Sequence, residues 1–518
     1  MYKLRTITVA VLSALATMSQ VAVAGTGPSS SQSNYLIGQN GADFTSIITT
    51  GDSVSGGYVM AGIPDGLGAY DNGNGTMTVL MNHELGNTLG AVRAHGGTGA
   101  YVSEWVINKS NLQVLSGQDL MQAANLWNGS SYTTTSGTWG NNTFSRFCSA
   151  DLASQSAFYN TSSGLGTQNK LFLNGEEVNG GRAMAHVASG ADKGKSYELY
   201  TFGKQAWENS LANPYAQDKT IVISNSDGGN SGLTVWVGNK QAIGNDVEKA
   251  GLINGQRYTV QVTGGTTNNE SRTTNQTTLG LNASNVGNFN LSTSTNSTFL
   301  RPEDGAWDTK DKNKYYFVTT DQMDAAKDGN VNTSTAAGQV GRSRLYSLTF
   351  NDIADPTLGG KIEMLLDGTE AQQMLDNMAV DKDGNIILQE DTGNNKHSAK
   401  VWKFDPTTKQ LKLVGGHDVA RFGDVLVSPT APYTVDEESS GVIDVTDLMA
   451  GTAGYDTVNN RYYLLDVQDH HAIPGLQVEG GQLLLMTQPV PEPAEYAMML
   501  AGLAVVGGVA RRRRAIGA

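Results

Sequence analysis

The sequence predicts an all-β protein, a β-propeller with long loop insertions, and three observations predict it. Short strands rich in β-branched and aromatic residues recur along the chain. Helical patterning is nearly absent. The composition is turn-rich, with 62 Gly, abundant Asn, Thr and Ser, and only 16% charged residues. Many short strands with few helices fit a sandwich, barrel or propeller.

Several strands run directly into carboxylates. They are Thr78-Val-Leu-Met-Asn-His83-Glu84, Lys170-Leu-Phe-Leu-Asn-Gly-Glu176-Glu177, Tyr315-Tyr-Phe-Val-Thr-Thr-Asp321, Asn385-Ile-Ile-Leu-Gln-Glu390-Asp391 and, more weakly, Arg461-Tyr-Tyr-Leu-Leu-Asp466. They begin about 70 to 90 residues apart, with one longer gap, too far for compact propeller repeats and suited to a propeller with long loops. Plainer strands lie between them, Ser196-Tyr-Glu-Leu-Tyr-Thr-Phe202 and Arg344-Leu-Tyr-Ser-Leu-Thr-Phe350 among them. Asp71-Asn-Gly-Asn-Gly75 and Asp381-Lys-Asp-Gly384 are tight-turn sequences. Residues 370–377 read as one short helix. Residues 224–297, poor in large apolar residues after Val262, read as a strand pair plus a long insertion. In a propeller, inner strands deliver their end residues to one channel; otherwise each acid closes a surface hairpin.

Both ends read as targeting segments. Lys3 and Arg5 precede an apolar run at 7–23 that closes with Ala22-Val23-Ala24, so residues 1–24 read as a cleavable signal peptide. At the other end, Val490-Pro491-Glu492-Pro493 precedes an apolar stretch at 496–509 and the cluster Arg511 to Arg514. Prolines stop helix upstream, and the arginines hold the cytoplasmic side of a membrane helix. Residues 489–518 resemble a PEP-CTERM sorting tail. That resemblance implies export to the cell envelope or beyond, a transient inner-membrane anchor through the C-terminal helix, and recognition by sorting and processing machinery. Residues 25–488 are the expected propeller domain.

The chemistry-bearing residues narrow the function. A net charge of −14 disfavours nucleic acid, which wants clustered cations. The single cysteine, Cys148, permits no internal disulfide. No Walker A motif and no His-Glu-x-x-His motif occur, nor does a Gly-x-Ser-x-Gly elbow in a strand-turn-helix context. His470-His471 is an isolated pair that reads as structural. The acids fall in pairs or near-pairs: His83-Glu84, Glu176-Glu177, Glu303-Asp304 with Asp308, Glu390-Asp391 and Glu437-Glu438. Adjacent carboxylates are costly to bury, and Ca²⁺, which takes six to eight oxygen ligands, offsets that cost. Hydrated surface acid is the alternative. Cys148 is either a buried small apolar residue or a soft thiolate ligand for iron or zinc.

A wider resemblance rests on Asn82-His83-Glu84, on Gly137-Thr-Trp-Gly-Asn-Asn142 followed by Cys148, and on Gly175-Glu176-Glu177. Arg301-Pro302-Glu303-Asp304-Gly305 and Asp376-Asn377-Met-Ala-Val-Asp381-Lys-Asp-Gly384 continue it. In this order the pieces resemble the PhoX alkaline phosphatase family (DUF839-type) of exported, calcium-dependent enzymes. The resemblance implies a six-bladed propeller with calcium and iron in its channel, acting on small phosphorylated substrates. It implies Cys148 as iron thiolate, Glu84, Glu176, Glu177, Glu303, Asp304, Glu390 and Asp391 as acidic metal ligands, and Arg301 as the phosphate contact. The chain departs from the family around the cysteine, which lies six residues after Asn142, with a long spacer before Glu176. A non-catalytic, calcium-stabilised surface or biofilm-matrix protein is the alternative, and another propeller hydrolase the third reading.

Overall fold

In the computed structural model, which describes residues 25–135, 142–228, 230–272, 275–324 and 340–490, six β-sheet blades surround a central channel. The expected signal peptide and sorting tail lie outside the described residues, as does most of the Gly137–Asn142 motif. No helix among the described residues is long and apolar enough to cross a membrane.

Blade 1 runs outward from Pro64–Asp71 through Thr76–His83 and Tyr101–Asn108 to Val114–Asp119. Blade 2 is built on Leu171–Gly175, Ala183–Val187 and Lys195–Glu198, with Ala123–Trp127 and Tyr132–Thr135 outermost. Its channel edge is the irregular stretch 147–151, bridged to it at Phe147↔Glu176 and Asp151↔Leu173. Blades 3 and 4 begin at Ser210–Ala212 and Gly305–Trp307. They fuse into one nine-stranded sheet because Val286–Ser292 pairs with both Gly255–Thr263 and Gly360–Leu366. Blade 5 begins at Leu375–Val380 and blade 6 at Glu437–Asp444. Asp43–Thr49 pairs antiparallel with Val478–Pro489, so an N-terminal strand completes the last blade and ties the ring shut. Pairing across the two ends of the chain removes a gap that a linear array of blades would leave.

The inner strands of this ring are buried on both faces, which explains why they read as apolar runs rather than alternations. Thr76–His83 is buried along nearly its whole length. Six apolar clusters fill the spaces between successive blades. Trp105, Leu464 and Leu483 join blades 6 and 1, for example, and Leu345, Leu375 and Trp402 join blades 4 and 5. The inner strands crowd closely. A Cβ on Gly66 would lie 2.5 Å from the Ala150 nitrogen, and one on Gly68 would lie 2.6 Å from Leu152 Cβ. Only glycine lets blade 1 approach the inner edge of blade 2 at these points.

Two local expectations change. The helix expected over 370–377 is absent, and Leu375–Val380 is instead the inner strand of blade 5, paired with Ile386–Glu390. Helix propensity is a weak prior, and ladder pairing on the channel wall overrides it. Residues 224–297 supply three strands of the nine-stranded sheet, Thr234–Asn239, Gly255–Thr263 and Val286–Ser292, with short helices between them. Their polar residues obscured the period because these strands lie toward the outer, half-exposed part of blades 3 and 4.

Candidate metal centre

Within two residues of the start of each of the six inner strands or strand edges stands an acid or a thiol, and these side chains converge on one another. They are Asp65, Cys148, Glu208, Glu303, Asp376 and Glu438, all buried. A second set comes from the ends of the adjoining strands: Glu84 after Thr76–His83, Glu177 after Leu171–Gly175 and Asp391 after Ile386–Glu390. Together they form four triads whose ligand atoms lie within 4.8 Å of one another: Asp65–Glu84–Cys148, Cys148–Glu177–Glu208, Glu208–Glu303–Asp376 and Asp376–Asp391–Glu438. Cys148, Glu208 and Asp376 are each shared by two triads, so the groups form a continuous belt.

Below the belt, the next residues of four of the inner strands, Ser149, Asn209, Asp304 and Asn377, tie it to its neighbours. Asn377 Nδ2 donates to Ser149 Oγ at 2.6 Å, and Ser149 Oγ donates to Glu208 Oε1 at 2.7 Å. Asn209 Nδ2 donates to Asp304 Oδ1 at 2.7 Å. The Cys148 thiol donates to Asp65 Oδ2 at 3.1 Å. Gln468 Nε2 donates to Asp65 Oδ2 at 3.1 Å and to Glu84 Oε2 at 2.8 Å. This layer fixes the side chains without neutralising them.

Two arginines lie over the belt. The Arg146 guanidinium meets Glu84 at 2.6 Å and Glu177 Oε2 through Nε at 3.0 Å. Arg301 meets Glu303 at 2.7 Å and Asp227 at 3.0 Å. His470 Nε2 stands 3.9 Å from Glu438. Charge still runs strongly negative. Burial, reinforced by neighbouring acids, raises the carboxyls of Asp65, Glu177, Glu208, Glu303 and Asp376 well above the usual range. Burial and Asp391 push Glu438 up to about 7. Burial and Asp65 also raise the Cys148 thiol. Glu208 Oε2 and Asp376 Oδ1 are buried with no hydrogen-bond donor. Buried carboxylates at this density, with orphaned oxygens, fit cations rather than hydrogen bonds. Hard oxygen donors suit Ca²⁺, and the one sulfur in the belt suits a softer metal such as iron.

The sequence-predicted residues separate cleanly. Glu84, Cys148, Glu177, Glu303 and Asp391 come together in the belt. Glu176, Asp304 and Glu390 do not. Glu176 pairs with Arg182 at 2.5 Å and accepts from the Ser145 N–H at 3.1 Å. Asp304 accepts from Asn209 and from the Met378 N–H at 3.0 Å, and burial pushes it up to about 7. Glu390 accepts from Trp402 Nε1 and the Gln373 N–H, both at 2.7 Å. Arg301 lies beside the belt, engaged with Glu303 and Asp227. Sequence reasoning missed Asp65, Glu208, Asp376 and Arg146 and did not commit to Glu438. A signal existed: an acid followed by a small or polar residue recurs as Asp65-Gly66, Glu208-Asn209, Glu303-Asp304, Asp376-Asn377 and Glu438-Ser439.

Residues 489–514 match the PEP-CTERM protein-sorting motif. The chain is thus an exported protein of the cell envelope or extracellular space, held transiently at the membrane by that segment. No curated protein sequence matches the chain. Among solved structures it is similar to Pseudomonas fluorescens PhoX in complex with vanadate, a transition-state analogue. The TM-score is 0.52 at 11% identity, with 89% of this chain and 97% of that chain covered. A gluconolactonase from Xanthomonas campestris aligns at a TM-score of 0.34 and 10% identity, over 87% of this chain and 90% of that one. The likeness to PhoX shows a shared fold.

Proposed function

We propose that this protein is an exported, metal-dependent phosphomonoester hydrolase. One observation carries the reading: all six blades aim an acid or thiol into one channel, and two arginines lie over the resulting belt. The fold shared with PhoX supports it. Asp65, Glu84, Glu177, Glu208, Glu303, Asp376, Asp391 and Glu438 would hold calcium, and Cys148 with its carboxylate neighbours would hold iron. Bound cations of this kind polarise phosphoryl oxygens and lower the pKa of water.

The chain's own residues do the remaining work. Arg301 would offer the phosphate the guanidinium donors that Asp227 and Glu303 leave over. Asp227 and Glu303 fix the orientation of that guanidinium. The belt carboxylates are buried, which strengthens the charge interactions among them. The water oxygen forms a bond to phosphorus, the ester P–O bond breaks, and the alcohol leaves with a proton from the water. No protein nucleophile is needed.

Purified protein assayed on p-nitrophenyl phosphate with Ca²⁺ and ferric iron supplied tests the reading. Hydrolysis is expected, with iron bound in proportion to chain. Glu303→Gln and Cys148→Ala should each lower kcat/KM by about 100-fold or more, as loss of metal-site groups does. Activity that survives both substitutions removes these residues from the site. Calcium bound without iron, and no hydrolysis, removes the reading itself.

A further inference from the structure

Arg146 is built for more than balancing charge. Its side chain is 49% exposed, while the carboxylates it touches, Glu84 and Glu177, are 5% and 9% exposed. It therefore stands at the mouth, above the belt. Other acid-paired arginines are withdrawn: Arg344 is fully buried against Glu270, and Arg182 is largely covered against Glu176.

The backbone holds Arg146 there at a cost. Its φ is +51°, in the left-handed region that residues with a side chain rarely occupy. Such strain persists only when the surroundings fix it, and it concentrates at functional sites. Here the Arg146 N–H donates to the Leu85 carbonyl of blade 1 at 3.0 Å, and its own carbonyl accepts from the Glu177 N–H of blade 2 at 2.8 Å. The residue is thereby fastened across the gap between two blades. Arg301 is the counterpart on blade 4, with φ +56° and a guanidinium held by Glu303 and Asp227.

Glu84 and Glu177 belong to the two triads that share Cys148. The guanidinium spans both. Nε and Nη2 face the acids, and among the described residues no acceptor meets Nη1. Cations held by those triads would draw on the same carboxylates and leave the guanidinium with donors to spare at the mouth. A guanidinium keeps its charge and offers five N–H donors in a plane.

We propose that Arg146 is a second phosphate-contacting residue, which offers its free guanidinium donors to the phosphoryl oxygens from the blade 1–blade 2 side of the channel. This inference rests on the hydrolase reading of the same channel.

The test compares wild type, Arg146→Gln and Arg146→Lys in the metal-loaded, full mature protein. Calorimetry measures orthophosphate binding, and steady-state kinetics on p-nitrophenyl phosphate separate KM from kcat. Metal content and thermal midpoint are read alongside. Expected are a ~10- to 100-fold weaker orthophosphate affinity and a matching rise in KM for Arg146→Gln, with metal content unchanged, since a hydrogen bond to a charged group is worth that much. Arg146→Lys should recover part of the loss. Unchanged affinity and KM overturn the assignment, as does a loss that only tracks loss of metal. Wild type that binds no orthophosphate overturns it too. Wild type that binds orthophosphate through Arg146 yet hydrolyses nothing keeps this inference and removes the hydrolase.

Discussion

The molecule buries carboxylates in two places and treats them in opposite ways. In blade 4, Glu270 takes Arg344 at 2.6 Å, Tyr346 Oη at 2.9 Å and Thr319 Oγ1 at 3.0 Å. Asp321 beside it takes Arg272 at 3.1 Å. Each acid there has its own cation, and those cations act against the burial that still pushes Asp321 up to about 7. In the channel, eight carboxylates and a thiol stand within the four triads, and among the described residues Arg146, Arg301 and, at 3.9 Å, His470 are the cations paired to them. A buried charge persists only when paired or bound to a metal; otherwise it takes up a proton. The first region is complete as a polypeptide. The second is complete only with ligands from outside the chain, either protons or cations.

The sharpest way to break this contrast is to neutralise one acid in each place. Glu270→Gln leaves Arg344 charged and buried, so it should cost about 3–5 kcal/mol whether or not cations are present. Asp376→Asn should behave differently. In metal-stripped protein it removes repulsion with Glu303 and Glu438 and should leave the thermal midpoint unchanged or higher. In cation-loaded protein it removes a shared ligand and should lower both midpoint and metal content. Thermal melts of both variants, with and without chelator, decide the matter. Equal behaviour of the two variants would show that the belt is internally balanced.

The pH dependence sharpens the contrast further. A carboxyl whose pKa is raised on folding holds its proton more tightly in the native state. Its contribution to stability is full below the unfolded value of about 4 and is lost as pH rises through the folded value. In the belt, Glu438 is pushed up to about 7, and Asp65, Glu177, Glu208, Glu303 and Asp376 are raised well above the usual range. The midpoint of metal-stripped protein should therefore fall by several degrees between about pH 4 and pH 7. Saturating Ca²⁺ should flatten most of that slope, because the belt then carries cations instead of protons. A midpoint that rises over this window in the metal-free chain contradicts the reading of the belt as uncompensated.

Much of the architecture was legible in the sequence, because blade strands announce themselves as apolar runs closed by turns. The site was legible only by half, and the reason is geometric. Successive residues of an extended chain point to opposite sides. Each acidic pair was visible, but which member faces the channel depends on strand register and on where the inner edge of each blade begins. Glu177, Glu303, Asp391 and Glu438 face the belt, and Glu176, Asp304, Glu390 and Glu437 turn to N–H donors or cations inside the blades or beneath the belt. Single acids such as Asp65, Glu208 and Asp376 drew less notice than pairs. Arg146 had no local signal, because its role comes from bridging two blades.

The Glu176–Glu177 pair turns that rule into the smallest and most discriminating prediction. The two side chains are chemically identical and adjacent, so only register separates them. Glu176→Gln removes one partner of Arg182, a part-buried ion pair, and should cost about 1 kcal/mol with metal stoichiometry unchanged. Glu177→Gln should leave the metal-free midpoint nearly constant while lowering metal binding, because Glu177 shares a triad with Cys148 and Glu208. Paired melting curves and metal analysis on the two variants measure both effects. If the two substitutions exchange these signatures, the channel edge of blade 2 is displaced by one residue from the Phe147↔Glu176 bridge. The belt would then draw on the other member of the pair, since a one-residue slip moves every side chain of a strand to the opposite face.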